Sequence, residues 1–231
     1  MLPEKKRWTR NEFLGLLVIP IEFLLGTGLS NVSFVKSSPW LATSLSLCIF
    51  FTGFLVMIFL FKNFLKQEWD LYKKNNFWLK LVFNILLVGG AFALLTLTRA
   101  TSISNLSAND VNQFSTSSLG LMLLTSIQPF IAPFVEELTF RYLLFGKISN
   151  KFLKVVMFFV SSILFGLIHI NNFNGNWMLT LPYMVIGAYF SIIYLVYKNI
   201  WGSIIVHWIF NSINSIIPAI FLIILKIIGA V

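Results

Sequence analysis

Two carboxylates, two histidines, an asparagine and an arginine stand inside apolar stretches of this chain. Glu136 and Glu137 are adjacent, and Arg141 follows Glu137 by four residues. His169 and His207 are the only histidines, and Asn211 follows His207 by four. An ionisable side chain at membrane depth costs roughly 2.5–3.5 kcal/mol on insertion scales, so each marks a candidate functional site. Residues four apart share a helix face. Glu137 and Arg141 are therefore expected to pair and neutralise each other, as structural residues. Glu136 lies about 100° around the same helix and keeps its carboxylate for acid–base work. By the same spacing His207 and Asn211 point into one cavity, and Phe165 lies a turn from His169 as a packing neighbour or a wall. Carboxylate and imidazole are suited to moving protons near neutral pH, so Glu136 with His169 could activate a water. His207 and Asn211 could then donate hydrogen bonds to the oxyanion that forms when that water attacks a carbonyl. The chemistry is amide hydrolysis without a protein nucleophile.

The elements that must carry these residues follow from composition. Of 231 residues 58% are hydrophobic and 11% charged, and apolar runs of about 20 residues recur, the length that crosses a hydrocarbon core. The runs are continuous rather than alternating, which speaks against a β-barrel. The expected fold is an all-α, polytopic membrane helical bundle of about eight transmembrane helices. The spans fall at about 13–30, 40–62, 77–98, 117–146, 152–170, 177–197, 200–216 and 218–231. Residues 63–76 read as a charged connection, and Pro218 as the break before the last run. Pro133 is expected to kink the fourth span. Of the 17 Lys and Arg, all but Lys36, Arg99 and Arg141 fall at ends or connections on one side. The positive-inside rule then puts both termini in the cytoplasm. The basic N-terminus resembles a signal peptide, but Glu22 and the lack of a small-x-small site favour an uncleaved first span.

Other features carry little function. The net charge of +9 reflects the loops, and nucleic-acid binding is not expected because no basic stripe is interleaved with stacking aromatics. The expected partners are membrane lipids and a peptide or membrane-protein substrate. The one cysteine, Cys48, permits no internal disulfide and reads as a buried packing residue. Glu22 either faces the bundle or sits near the interface, and carries no assigned role. The sequons at Asn31 and Asn105 read as chance. A metal alternative remains: Glu136, His169 and His207 could ligate Zn²⁺ as a His₂Glu set. The missing His-Glu-x-x-His spacing and the poor zinc affinity of Asn favour no metal and no cofactor. Counting 1.5 Å per residue from the basic ends puts Glu136 and His169 at depths differing by roughly 10 Å, whereas a catalytic pair must be close; tilt, a late membrane entry of the fourth helix or the kink at Pro133 could remove the mismatch.

Glu-Glu-x-x-x-Arg at 136–141, Phe-x-x-x-His at 165–169 and His-x-x-x-Asn at 207–211 resemble the three motifs of the CPBP group, the CaaX proteases and bacteriocin-processing proteins also called the Abi family. The chain reads as one transmembrane domain, 1–231, in which about 117–216 carries the resemblance. It implies an intramembrane, glutamate-dependent protease in which Glu136 and His169 activate water, His207 and Asn211 stabilise the oxyanion, and Glu137 and Arg141 are structural. Eukaryotic relatives trim prenylated CaaX proteins; bacterial ones are linked to peptide maturation and bacteriocin self-immunity. The short chain looks like a bacterial member, in the plasma membrane. Two other classes stay open: a non-proteolytic scaffold or immunity protein, and a transporter using Glu and His as a proton relay.

Overall fold

The structure, a computed structural model, describes residues 8–74, 76–101 and 119–229. Most of the polar loop expected at 99–116, the basic residues 5–7 and the Asn105 sequon lie outside them. Among the described residues every regular element is helical: α1 Arg10–Ser30, α2 Ser33–Lys36, α3 Pro39–Lys73, α4 Phe77–Thr101 and α5 Leu119–Glu137. A π-helix, Leu138–Gly146, continues α5 without a break. Then come α6 Lys151–Leu167, two 3₁₀ turns (Ile170–Phe173 and Trp177–Thr180), α7 Leu181–Tyr197, α8 Ile200–Asn214 and α9 Ile216–Ile227.

Among the described residues six segments are long and apolar enough to cross a membrane, with α8 and α9 counted as one; α6, of 17 residues, is shorter than the usual single crossing. Large apolar side chains such as Phe59, Trp78 and Phe152 are more than two-thirds exposed, as expected where lipid is the solvent. The chain is an all-α, multi-pass membrane protein.

Local sequence explains most boundaries. Thr9 and Glu12 form a reciprocal capping box at the start of α1, satisfying two otherwise orphan amides. Glu12 also accepts from Lys147 at 2.6 Å and from the Tyr142 hydroxyl at 2.8 Å. That cluster ties the first helix to the end of the π-helix. Ser38 caps α3, and Pro39 occupies its first turn, where a missing N–H costs nothing.

Three expectations are corrected. The charged connection at 63–76 is mostly helix: α3 runs 35 residues, about 52 Å at 1.5 Å per residue, and so projects beyond a core of roughly 30 Å. The segment has no Gly or Pro to stop a helix, and Lys73 and Asp70 pair at 3.3 Å one turn apart. The break before the last run falls at Ser215 (φ −130°, ψ −79°) rather than Pro218, because proline is tolerated in a first turn. Cys48 is exposed on the outer surface of α3, not buried.

α6 and α7 cross closely. A Cβ on Gly166 would lie 2.2 Å from Met184 Cγ and 2.9 Å from the Met184 amide nitrogen. A Cβ on Gly187 would lie 3.0 Å from the Phe165 ring and 3.1 Å from the Ser162 carbonyl. Small residues let backbones approach where dispersion rather than water drives helix association. Gly166→Ala should therefore destabilise by about 1–3 kcal/mol, the usual cost of overpacking. Gly89→Ala, with nothing within 4 Å of the new methyl, should be neutral or slightly stabilising. Thermal unfolding of the two variants in detergent makes the comparison.

Candidate active site

α5 brings the two glutamates to the bundle centre, and its own prolines prepare the site. The helix passes through Pro129 and Pro133 and changes to π-geometry immediately after Glu137. The departure expected at Pro133 thus appears five residues later; single-turn π-bulges are frequent at functional sites, although this one is longer. Proline at position 133 has no N–H for the carbonyl of residue 129. That freed carbonyl accepts a hydrogen bond from Asn211 Nδ2 on α8, at 2.9 Å. The donor is an amide with two N–H groups, so one remains for another acceptor.

Glu137 and Arg141 are both fully buried and pair at 3.2 Å (Oε1 to Nη1). Arg141 Nη2 also donates to the Gly187 carbonyl on α7 at 2.9 Å, and its guanidinium lies 4.3 Å from the Phe165 ring centre. The sequence did not reveal that Glu137 has a second partner. His207 Nδ1 lies 2.8 Å from Glu137 Oε1, and His207 stacks on Phe190 with centroids 4.3 Å apart. A carboxylate only accepts, so Nδ1 carries the hydrogen of that bond. Nε2 is then turned toward Glu136, 3.7 Å from its Oε2. Glu137 thus fixes the orientation of His207 as well as pairing with Arg141.

His169 is not on a helix face as expected. α6 ends at Leu167, and His169 is the residue before a 3₁₀ turn. Its ring is held by two contacts: Nδ1 to the Phe165 carbonyl at 2.9 Å and a stack on Tyr183 with centroids 4.5 Å apart. Because a carbonyl only accepts, Nδ1 must be the protonated nitrogen, and in the neutral ring Nε2 is left with its lone pair. The depth mismatch shrinks for a specific reason. Ser161 Oγ on α6 donates to the Phe140 carbonyl of the π-helix at 2.8 Å. Phe140 is four residues past Glu136, and Ser161 is eight before His169. At 1.5 Å per residue the offset becomes about 6 Å, roughly one turn.

Glu136, His169 and Asn211 line one cavity of about 620 Å³. Its wall continues to exposed polar residues at helix ends, among them Ser30, Arg99, Asn171 and Asn214. Phe165, 1% exposed, is a wall between Arg141, His169 and His207 rather than a lining residue. Glu22 lines the same cavity from α1, a position that hydropathy did not reveal. Among the described residues no group of three His, Cys, Asp or Glu is arranged to hold a metal ion.

Breaking a buried ion pair on one side leaves the other charge uncompensated, at a cost of about 3–5 kcal/mol. Glu137→Gln should therefore lower stability strongly, because Arg141 has 0% exposure. Glu136→Gln removes no hydrogen bond to Oε2 and should stay within about 1 kcal/mol of wild type. Chemical or thermal unfolding in detergent compares the two adjacent glutamates directly.

Residues 116–213 match the model of the family described as "Type II CAAX prenyl endopeptidase Rce1-like". The chain is similar to UPF0177 protein YxdF of Lactococcus lactis subsp. lactis (strain IL1403), with 32% identity over 153 residues, 66% of this chain and 79% of that protein. It is also 32% identical over 108 residues to an uncharacterised protein of Mycoplasma capricolum subsp. capricolum, a match covering 47% of this chain and 30% of that longer protein. No solved structure matches. The matched region contains all three motifs, with Glu136, Glu137, Arg141, His169, His207 and Asn211, while Glu22 lies outside it, and the chain belongs to the Rce1-like family, within the CPBP group.

Proposed function

We propose that the protein is an intramembrane endopeptidase that hydrolyses a peptide bond of a membrane-inserted or prenylated substrate with water activated by Glu136. The observation that carries this is the convergence of Glu136, His169 and Asn211 on one cavity, with His207 Nε2 3.7 Å from Glu136. A water between the Glu136 carboxylate and His169 Nε2 loses a proton to Glu136 as its oxygen attacks the scissile carbonyl carbon. The carbonyl π bond opens, and the oxyanion accepts from the second N–H of Asn211 and from Nε2–H of His207, which donates there as the imidazolium because its Nδ1–H is held by Glu137. The C–N bond then breaks, the proton passes from Glu136 to the leaving amine, and a carboxylic acid and an amine result. Glu137 contributes by holding His207, much as a buried carboxylate orients the histidine of a hydrolytic triad.

We propose this mechanism without a metal. The likeness to proteins of Lactococcus and Mycoplasma supports a bacterial plasma membrane. The distribution of Lys and Arg supports a cytoplasmic N-terminus.

The experiment is cleavage of a prenylated CAAX-type peptide and its unprenylated counterpart by the purified protein in proteoliposomes. Glu136→Gln and His169→Ala should lower kcat by about 10²–10⁴, the usual contribution of a general base. Asn211→Ala should lower it by about 10²–10³, as for removal of one oxyanion donor. Cleavage by Glu136→Gln at the wild-type rate would sink the reading.

A further inference from the structure

Glu22 has no part in that mechanism, yet it lies in the same cavity. Pro20 stands two residues before it inside α1 without breaking the helix. Glu22 is 6% exposed, and no donor reaches its Oε1. The packing around it is made to fit. A Cβ on Gly53 of α3 would lie 1.6 Å from Glu22 Oε1 and 2.7 Å from its carboxyl carbon. Glycine at position 53 is thus what leaves room for the carboxylate. In a membrane interior such a group has a partner or a function.

The charges around the cavity indicate which partner is missing. Glu22 and Glu136 both line it, each with a buried, unpartnered oxygen. Among the described residues that line it, Arg99 is the one Lys or Arg, and it is exposed at the end of α4, among the polar residues of the helix ends. His169 has its protonated nitrogen committed to the Phe165 carbonyl. Among the described lining residues, the deep part of the cavity therefore holds two carboxylates and no Lys or Arg; His207 stands behind Glu136, and nothing of that kind faces Glu22 Oε1. Its volume of about 620 Å³ is ample for a side chain.

We infer that Glu22 is a specificity-determining residue that binds a cationic group of the substrate, an ammonium or guanidinium close to the scissile bond. The substrate is then a peptide with a basic residue held beside Glu22 while its carbonyl faces Glu136. This rests on the proteolytic reading for its catalytic consequence, but not for the binding itself. An unpaired buried carboxylate gains a charge-assisted hydrogen bond when the ligand enters, and a neutral isostere leaves it orphaned.

The test has two arms on the full chain in detergent. In the first, hexylammonium chloride and 1-hexanol are compared by their effect on the unfolding midpoint. Hexylammonium should stabilise the wild type more than hexanol does, and the difference should vanish in Glu22→Gln. Equal shifts with both probes, or a difference that persists in Glu22→Gln, would overturn the inference. In the second, peptides carrying lysine or norleucine at successive positions around the cleavable bond are compared by kcat/KM. Lysine should be preferred at least 10-fold at one position by the wild type, and the ratio should fall toward one in Glu22→Gln. Gly53→Ala, whose methyl displaces the carboxylate, should lower the same ratio and guards against a folding defect peculiar to Glu22→Gln. A preference unchanged in both variants would overturn the role. If the wild type cleaves none of the peptides, the proteolytic reading fails while the first arm still decides the cation site.

Discussion

The centre of this protein depends on the neutralisation of one buried guanidinium. Arg141 has no access to solvent, and an unpaired charge there would be untenable. Glu137 supplies the counter-charge, the Gly187 carbonyl takes a further N–H, and the rings of Phe165, Phe140 and Phe190 surround the cation. The partners come from four elements: α5, the π-helix, α6 and α7. The requirement to satisfy Arg141 therefore locks the π-helix to α6 and α7. Through Glu137 it also reaches His207 on α8. A stability device and the orientation of a reactive ring are the same set of contacts.

The second constraint is the backbone of α5. Backbone polar groups in a membrane interior must be satisfied within the protein, so a proline within a helix creates a vacancy that must be filled. Pro133 vacates the carbonyl of Pro129, and Asn211 fills it. The asparagine is anchored by this bond one helix away from the glutamates, with its remaining N–H for a ligand. The close crossing at Gly166 and Gly187 brings the end of α6 near enough for His169 to share a cavity with Glu136. Hydrogen bonds to carbonyls, rather than further charges, hold both His169 and Asn211.

Some of this was legible in the sequence. Apolar runs showed an all-helical membrane bundle, because only helices and closed barrels satisfy their own backbone in lipid. The spacing of Glu137 and Arg141 revealed their pairing, a local relation set by helix geometry. Three ordered motifs pointed to the family. The helix ends were less legible: α3 absorbed a charged stretch and the last break moved to Ser215, because charged residues at a membrane surface are as compatible with helix as with loop.

What the sequence by itself determined was which residues are costly in a membrane and must have partners. Which partners they found was decided only by the tertiary structure. Glu137 meets a histidine 70 residues away, Asn211 meets a carbonyl 82 residues away, and Glu22 meets the space above a glycine of α3. Periodicity relates residues within a few turns of one helix. The register between helices is set by glycine crossings, a freed carbonyl and one serine hydrogen bond, and none of these has a period in the sequence.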